Sequence, residues 1–204
     1  MPNNAARVAT ETATPDSPLR FVQAFLREPF TVGACWPSSA ALSRAVVDSC
    51  DFGPASTVVE LGPGTGSFTE LLLERLDSRG QLLAFEISDT NIEVLRRRFP
   101  RCRTIHDSAE FLPRYLGRKR VDCIVSGLAW GNMLPLTQDR LLKAILKSLS
   151  PRGQFVAFAY LHARCFPTSL RFRKLMYGKF ARVETTPIIW RNVPPAFVYR
   201  CWRR

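Results

Sequence analysis

Apolar residues recur along this 204-residue chain in two patterns that alternate and predict strands and helices in turn. Short apolar runs indicate buried strands, and longer segments with apolar residues three or four positions apart indicate helices. The predicted strands are Thr57–Val59 leading into Glu60, Leu82–Glu86, Cys102–Ile105, Val121–Val125, Gln154–Tyr160, Ala181–Trp190 and Ala196–Trp202. The predicted helices are Ala40–Val47, Phe68–Leu76, Thr90–Phe99 with Asp89 or Thr90 as its cap, Asp139–Leu149 and Leu170–Tyr177.

This alternation predicts an α/β fold with a doubly wound, Rossmann-like and mostly parallel sheet. Only Asn192–Pro195 separates the last two strand-like runs, which predicts an antiparallel hairpin at the C-terminal end. Pro151–Gly153 are expected to form the turn into the fifth strand. We therefore expect residues 19–204 to form a single domain.

The N-terminal region is less regular. Met1–Pro18 contains almost no large apolar side chain and is expected to be a disordered tail. Residues 19–28 place apolar and aromatic side chains on one side of an amphipathic helix, which can pack on the domain's own core or lie at a lipid interface. Phe30–Ser39 is expected to be a loop, and Ser38 or Ser39 can cap the helix that follows it.

A glycine-rich turn follows the first predicted strand. Gly62, Gly64 and Gly66 occupy alternate positions, so the backbone can turn sharply and a ligand can approach it closely. The G-x-G-x-G spacing lacks the Lys and Ser/Thr of a phosphate-binding loop, and no basic residue lies within 57–74. A loop without cations beside the acidic Glu60 favours a ligand with positive charge, such as the sulfonium and ammonium groups of S-adenosylmethionine.

Polar residues also end the next predicted strands. Glu86 closes the second strand about twenty residues after the last glycine, where a carboxylate can accept hydrogen bonds from both ribose hydroxyls. Asp107 and Ser108 follow the third strand, where an acidic side chain can accept the exocyclic amine of adenine. Ser126–Trp130 follow the fourth strand and are expected to meet the acceptor. Ligands collect at the carboxyl ends of strands in such sheets, so these residues are expected to share one edge.

The chain is strongly basic, with a net charge of +12. This balance predicts attraction to polyanions, either nucleic acid or an anionic membrane surface. No apolar run has the length of a membrane span and the N-terminus lacks a signal-peptide pattern, so we expect a cytoplasmic protein that meets the membrane peripherally, at its inner face. The six cysteines form no C-x-x-C pair and neither histidine lies at zinc spacing, so no metal site is expected.

Together these motifs resemble those of class I methyltransferases, with the E-x-G-x-G-x-G loop, Glu86 and Asp107 in order. More narrowly, the chain resembles the small soluble bacterial phosphatidylethanolamine N-methyltransferases, which act on phospholipid at the membrane surface. The segments that carry the narrower resemblance are Val32–Ala34, Pro37–Ser39, Glu60–Gly66, Ser126–Leu128, Pro194–Ala196 and Val198–Tyr199. One departure is that Ala129–Asn132 stand where family members usually have a proline.

The resemblance implies S-adenosylmethionine as cofactor, N-methylation of a phospholipid head-group amine, and a lid role for the helix 19–28. The cofactor-binding residues that it implies are Ser38, Ser39, Glu60, Gly62, Gly64, Thr65, Gly66, Glu86, Ile87, Asp107, Ser108 and Ser126. The residues expected around the substrate are Trp36, Gly127, Leu128, Trp130, Tyr160, Arg164 and Arg191.

Methyl transfer from a sulfonium is an in-line displacement that needs a lone pair close to the methyl carbon. We expect backbone carbonyls near Ser126 and the Tyr160 hydroxyl to orient a deprotonated amine without a dedicated strong base. A head-group phosphate would need cations near the pocket. The candidates are Arg164, Arg171, Arg173, Lys174 and Arg191.

The sequence leaves three alternatives open. An RNA adenine methyltransferase would share the cofactor loop and explain the basic charge, but such enzymes usually place Asn or Asp, then Pro, then an aromatic residue where this chain has Ser126–Trp130. A second alternative is a methyltransferase for a small amine or an amphipathic metabolite. A binding module with an inactive cofactor fold is the third, and the intact glycines and both carboxylates argue against it.

Overall fold

The computed structural model describes residues 39–203, which form a seven-stranded sheet and six α-helices. The helices are α1 (Ala40–Asp48), α2 (Ser67–Arg75), α3 (Asp89–Arg98), α4 (Leu112–Leu116), α5 (Pro135–Ser148) and α6 (Pro167–Lys179). The strands are β1 (Thr57–Leu61), β2 (Gln81–Glu86), β3 (Cys102–His106), β4 (Val121–Ser126), β5 (Leu149–Tyr160), β6 (Arg182–Thr185) and β7 (Ala196–Trp202). Short 3₁₀ segments occupy Ala109–Phe111, Trp130–Asn132 and His162–Cys165. The predictions for the tail, the helix 19–28, Trp36 and Ser38 lie outside the described residues.

The strands are ordered β3-β2-β1-β4-β5-β7-β6 across the sheet. The run from β3 to β5 is parallel, and β7 pairs antiparallel with both β5 and β6. The carboxyl ends of β1 to β5 therefore lie at one edge, called here the carboxyl edge, together with the amino end of β7. The predicted doubly wound, mostly parallel sheet with an antiparallel C-terminal pair is confirmed.

Helices cover both faces because the central strands are apolar on both sides. Successive residues of a strand point to opposite faces, so Val58 packs in the layer of α1, α2 and α3, whereas Val59 packs in the layer of α4, α5 and α6. Both side chains are fully buried. Two apolar layers of helices thus cover the faces of the sheet, so a ligand can reach it at the carboxyl edge. No helix within residues 39–203 combines the length and the apolar character needed to cross a bilayer.

Several predicted boundaries were wrong. The helix predicted at Asp139–Leu149 begins at Pro135, whose fixed φ suits the first helical turn. The turn predicted at Pro151–Gly153 is part of β5, and the pairing register with β4 shifts between Val121 and Cys123 because extra residues bulge from the ladder.

Three further boundaries differ. The strand predicted at Ala181–Trp190 ends at Thr185, because Pro187 cannot donate a ladder hydrogen bond. In the rest of the predicted strand, the structure has one isolated antiparallel bridge, between Ile189 and Ala196. The cap of α3 is Ser88, one residue before the predicted cap, because its side chain accepts from the third amide of the helix. The basic helix predicted from Leu170 to Tyr177 is longer at both ends.

Candidate active site

The glycine turn between β1 and α2 is built from three residues with positive φ, Gly62 at 67°, Gly64 at 57° and Gly66 at 93°. A Cβ on Gly62 would lie 2.4 Å from the Leu128 side chain, and one on Gly66 would lie 2.2 Å from the Phe99 ring. A Cβ on Gly64 would meet no heavy atom of the described chain within 4 Å. The outer glycines are therefore required by packing, and the middle one leaves open space in which a ligand can lie.

Glu86, at the end of β2, lies beside this turn. Its Oε2 accepts from the Gly64 amide at 3.1 Å, and its Oε1 accepts from the amides of Ile87 at 2.8 Å and Ser88 at 3.0 Å. These donors fix the carboxylate at the carboxyl edge, next to the open side of the turn. The adjacent Ile87 side chain is 72% exposed, so an apolar surface accompanies the carboxylate.

Glu60 is completely buried beneath the turn. Its Oε2 accepts from the Thr69 hydroxyl at 2.7 Å, and its Oε1 has no hydrogen-bond partner among residues 39–203. Burial, with a smaller contribution from the charge of Glu86, raises the pKa of this carboxyl from 4.5 to about 7, although the hydrogen bond from Thr69 opposes the rise. A buried carboxyl with one unsatisfied oxygen costs free energy that a cationic ligand can recover, so the residues fit the ammonium group of the predicted cofactor.

Asp107 and Ser108 share the carboxyl edge after β3. The Asp107 carboxylate accepts from the Ser108 amide at 2.7 Å and from the Tyr115 hydroxyl at 2.8 Å. The Tyr115 ring in turn packs edge-on against Phe85, with 5.3 Å between ring centroids. Sequence reasoning missed Tyr115, because no local pattern indicates that α4 would carry it back to the strand end.

The side chains that follow β4 lie deeper than predicted. Ser126 is buried, and its hydroxyl oxygen accepts from the Trp130 indole at 2.9 Å and from the Leu128 amide at 3.3 Å. The Trp130 ring is 1% exposed and stacks on Phe172 at 4.6 Å. The structure thus places both side chains in the core, where they hold the loop after β4 against α6.

Gly127 lies where the loop after β4 touches the glycine turn. Its amide donates to the Leu61 carbonyl at 2.8 Å, and an added Cβ would lie 2.5 Å from the Gly62 carbonyl oxygen. Because Leu128 packs on Gly62 as well, the predicted acceptor loop and cofactor turn are in direct contact.

A cleft, called here the acceptor cleft, opens at the carboxyl ends of β4 and β5. Its lining is aromatic with two arginines: Trp130, Tyr160, Phe172, Phe197, Tyr199, Arg164 and Arg173. The Tyr160 ring packs against Phe158 and His162, and its hydroxyl has no hydrogen-bond partner in the described part of the chain. Burial raises the pKa of Tyr160, so this phenol stays protonated near neutral pH.

The remaining predicted residues lie further from the cleft. Ser39 caps α1 with its side chain, and its amide donates to the Asn192 side-chain oxygen at 3.2 Å, a partly buried contact that the sequence did not reveal. Thr65 is exposed, and its carbonyl accepts from Arg98 at 2.8 Å. Arg191 is exposed in the segment before β7 and does not line the acceptor cleft.

Comparison with known sequences gives matches of very different extent. Residues 58–153 match a family model described as a methyltransferase domain. An ornithine lipid N-methyltransferase from Singulisphaera acidiphila is 26% identical over 191 residues, covering 89% of this chain and 93% of that protein. A ribosomal RNA small subunit methyltransferase A from Dehalococcoides mccartyi is 38% identical over 71 residues, covering 33% of this chain and 23% of that protein.

Comparison with solved structures finds the same fold. A TehB-like SAM-dependent methyltransferase from Corynebacterium glutamicum superposes with a TM-score of 0.59 at 15% identity, covering 92% of this chain and 100% of that chain. A Streptococcus mutans protein in complex with SAH gives a TM-score of 0.57 at 17% identity, covering 79% and 95%. At these identities the likeness concerns the fold.

Proposed function

We propose that this chain, a class I S-adenosylmethionine-dependent methyltransferase, methylates the head-group amine of a membrane lipid. The similarity to an ornithine lipid N-methyltransferase extends over 89% of the chain, whereas the similarity to a ribosomal RNA methyltransferase covers 33%. A lipid acceptor therefore agrees with the relative that matches along almost the whole sequence.

S-adenosylmethionine is the cofactor, and when bound it supplies a methyl group on an electrophilic sulfonium. Three features of this chain would hold it. The unpaired Oε1 of Glu60 suits the ammonium group, Glu86 can accept from the ribose hydroxyls, and the open side of Gly64 admits the ligand to the backbone. The exposed Ile87 side chain offers an apolar surface beside Glu86 for the adenine ring.

The observation that carries the lipid proposal is a concentration of exposed apolar side chains at the carboxyl edge. Eight large apolar residues are exposed in the described part of the chain, and six of them lie in segments next to this edge: directly after β2, at the start of α5, in the first turn of α6, and in the segment before β7, which begins there. This set, called here the apolar rim, comprises Ile87, Leu134, Leu136, Leu170, Trp190 and Val193. Exposed apolar surface concentrated in one region indicates an interaction site.

The charge around the rim favours a lipid surface as its partner. Arg164, Arg173, Lys174 and Arg191 are exposed near the same edge, and the whole chain carries a net charge of +12. Anionic lipids attract such cations, while the interface accepts Trp and Leu side chains. A protein that binds by this edge presents the acceptor cleft to the lipid head groups.

The chemistry of the cleft suits an amine. Amine nitrogen attacks a methyl group only with its lone pair free, so the proton must leave to solvent before transfer. Tyr160 places a protonated phenol at the cleft, where the hydroxyl can accept from the amine or donate to a neighbouring oxygen and so orient the head group. Positioning of this kind supplies much of the rate enhancement in a displacement that needs little acid–base help.

The proposal is tested by transfer of labelled methyl from S-adenosylmethionine to separate acceptors, followed by solvent partition. The acceptors are anionic vesicles containing phosphatidylethanolamine, the same vesicles containing an ornithine lipid, bulk RNA, and small amines. Vesicles without an amine lipid are the control. Label in the organic phase that depends on the amine lipid is the expected result. Label only in RNA or in the aqueous amines would assign the enzyme to another substrate class.

A further inference from the structure

A second cleft adjoins the acceptor cleft. It is bounded on its far side by Thr185, Thr186 and Ile188. The residues common to both clefts are Arg164, Arg173, Phe197 and Tyr199. The two clefts therefore meet at a wall that carries two guanidinium groups.

Neither of these arginines is neutralised by the described chain. No carboxylate oxygen of residues 39–203 lies within 4.0 Å of Arg164 or Arg173. Arg164 lies over the Phe197 ring at 5.5 Å, and Arg173 lies over the Tyr177 ring at 5.7 Å. Stacking on a ring leaves the in-plane N–H donors of a guanidinium available, which is the geometry that binds carboxylate or phosphate oxygens.

The three other basic residues that the sequence offered as partners for a head-group anion are either already paired or outside both clefts. Arg171 donates to both Asp139 oxygens, at 2.9 and 2.8 Å, so its charge is already paired. Lys174 and Arg191 line neither cleft. Of the five basic residues that the sequence offered as partners for a head-group anion, the structure brings only Arg164 and Arg173 to the acceptor cleft.

We propose that Arg164 and Arg173 bind the anionic group of the acceptor while Tyr160 orients its amine, so that the enzyme selects zwitterionic lipids. This inference rests on the proposed lipid function and adds the substrate class. The shared chemistry is a primary amine a few bonds from an anion. Phosphatidylethanolamine provides a phosphodiester, and an ornithine lipid provides a carboxylate.

The charges of Arg164 and Arg173 also affect the pKa of Tyr199, whose ring lines both clefts. Burial raises the pKa of Tyr199, and the positive charges of Arg173 and Arg164 oppose that rise. Arg164, Arg173 and Tyr199 line both clefts, so a ligand bound there would lie beside both guanidinium groups and the Tyr199 ring. A pair of cations placed in this way distinguishes a specific site from a general attraction to anionic lipid.

The test compares Arg164→Gln, Arg173→Gln and the control Arg152→Gln, which removes the same charge from an exposed position in the bulged segment of β5. Each is assayed in otherwise identical vesicles that contain phosphatidylethanolamine, an ornithine lipid or oleylamine, whose amine has no anion nearby. We expect each cleft variant to raise KM for one or both zwitterionic lipids about tenfold or more, with oleylamine changed less than about twofold. The control should treat all three lipids alike.

A second readout does not need turnover. Binding of glycerophosphoethanolamine and of Nα-acetylornithine to each variant is measured by calorimetry, with ethanolamine as the analogue that lacks an anion. The analogue whose binding is weakened in Arg164→Gln and Arg173→Gln identifies phosphodiester or carboxylate as the anion. Equal losses for ethanolamine, or no loss for any analogue, would overturn the inference. A wild-type enzyme that methylates no lipid would instead defeat the proposed function, and the binding series would still decide the arginine pair.

Discussion

At the scale of single residues, the candidate site contains groups whose contacts are incomplete in the folded chain, and a bound ligand would complete them. Glu60 is buried with one free oxygen, and Gly64 has positive φ with open space where a side chain would be. Neither feature stabilises the unliganded chain. Both make sense when a ligand completes the contacts.

Glu60→Gln should separate stability from function. The pKa of Glu60 is raised to about 7 in the folded chain, so the folded state keeps a proton that the unfolded state loses near pH 4.5. Stability of the wild type should therefore fall as pH rises through this window, by about 3 kcal/mol relative to the variant. Urea unfolding at about pH 5 and about pH 8 measures this difference. A pH-independent difference would show that the carboxyl is not protonated at pH 5.

The same residue predicts a pH dependence for the cofactor. The ionised carboxylate pairs with an ammonium, so the affinity for S-adenosylmethionine should weaken as pH falls below about 7. Glu60→Gln should weaken binding most above about pH 7, approach the wild-type affinity at low pH, and remove this slope. Calorimetric titration from about pH 5.5 to about pH 8.5 tests both statements.

Alanine substitutions at Gly64 and Gly66 should have different effects, the first mainly on cofactor affinity and the second mainly on stability. Gly64→Ala meets no neighbour in residues 39–203 but must hold φ at 57°, so it should cost about 1 kcal/mol of stability and a larger loss of cofactor affinity. Gly66→Ala would place a methyl carbon 2.2 Å from the Phe99 ring, so it should chiefly lower the free energy of unfolding. Thermal melts and calorimetry on both variants distinguish the two roles. Similar melting temperatures for the two would contradict the packing argument.

At the scale of elements, the acceptor cleft depends on how α5 holds the loop after β4 to α6. The buried Gln138 amide donates to the Trp130 carbonyl at 2.8 Å and to the Thr168 carbonyl at 3.1 Å. Its oxygen accepts from Arg171 at 3.2 Å. One side chain thus joins three elements behind the cleft.

Gln138→Leu should loosen the cleft without touching the cofactor turn. Two carbonyls lose their donor, which should lower the free energy of unfolding by about 2–4 kcal/mol. We expect a higher KM for the lipid acceptor and an unchanged cofactor affinity, because Gln138 holds the far end of the loop at Trp130, whereas the glycine turn contacts only its first residues, Gly127 and Leu128. Lys143→Leu, on the exposed side of the same helix, is the control. A loss of cofactor affinity in Gln138→Leu would show that the two sites are coupled through α5.

The glycine turn and Glu86 were predictable because the residues that determine them are contiguous: a strand, a turn and an acidic strand end. Contacts between segments that are far apart along the sequence could not be predicted. Tyr115 reaches Asp107, and Asn192 reaches Ser39, through packing that no local pattern specifies. The Trp130 ring lines the acceptor cleft and is held at its base by the Ser126 hydroxyl and the Phe172 ring. Its contact with Phe172 was not predictable, because α6 lies far along the chain from the loop after β4.

At the scale of the whole molecule, the sheet separates two kinds of surface. Its two faces are covered by helices, and its carboxyl edge carries the cofactor turn, the acceptor cleft and the apolar rim. A basic chain with exposed apolar side chains beside this edge has the surface that the proposed action on a membrane lipid requires.

The apolar rim should contribute to membrane binding independently of catalysis. The double variant Leu134→Ser and Leu136→Ser removes two large side chains that are 74% and 59% exposed, so it should fold normally. If both enter the interface, their loss should weaken partition to anionic vesicles about tenfold or more. Sedimentation with vesicles measures this loss, and methylation of a soluble short-chain lipid should be unchanged. Equal partition of the variant and the wild type would exclude these leucines from the membrane contact.

The position of β7 has a consequence for the order in which the chain is made. This strand is the last along the described sequence, yet it lies inside the sheet between β5 and β6 and supplies Phe197 and Tyr199 to the acceptor cleft. A ribosome releases the segments of the cofactor turn long before this strand. The cofactor residues are therefore synthesised first, and the acceptor cleft and the pairing partner of β6 become complete only once β7 has been made.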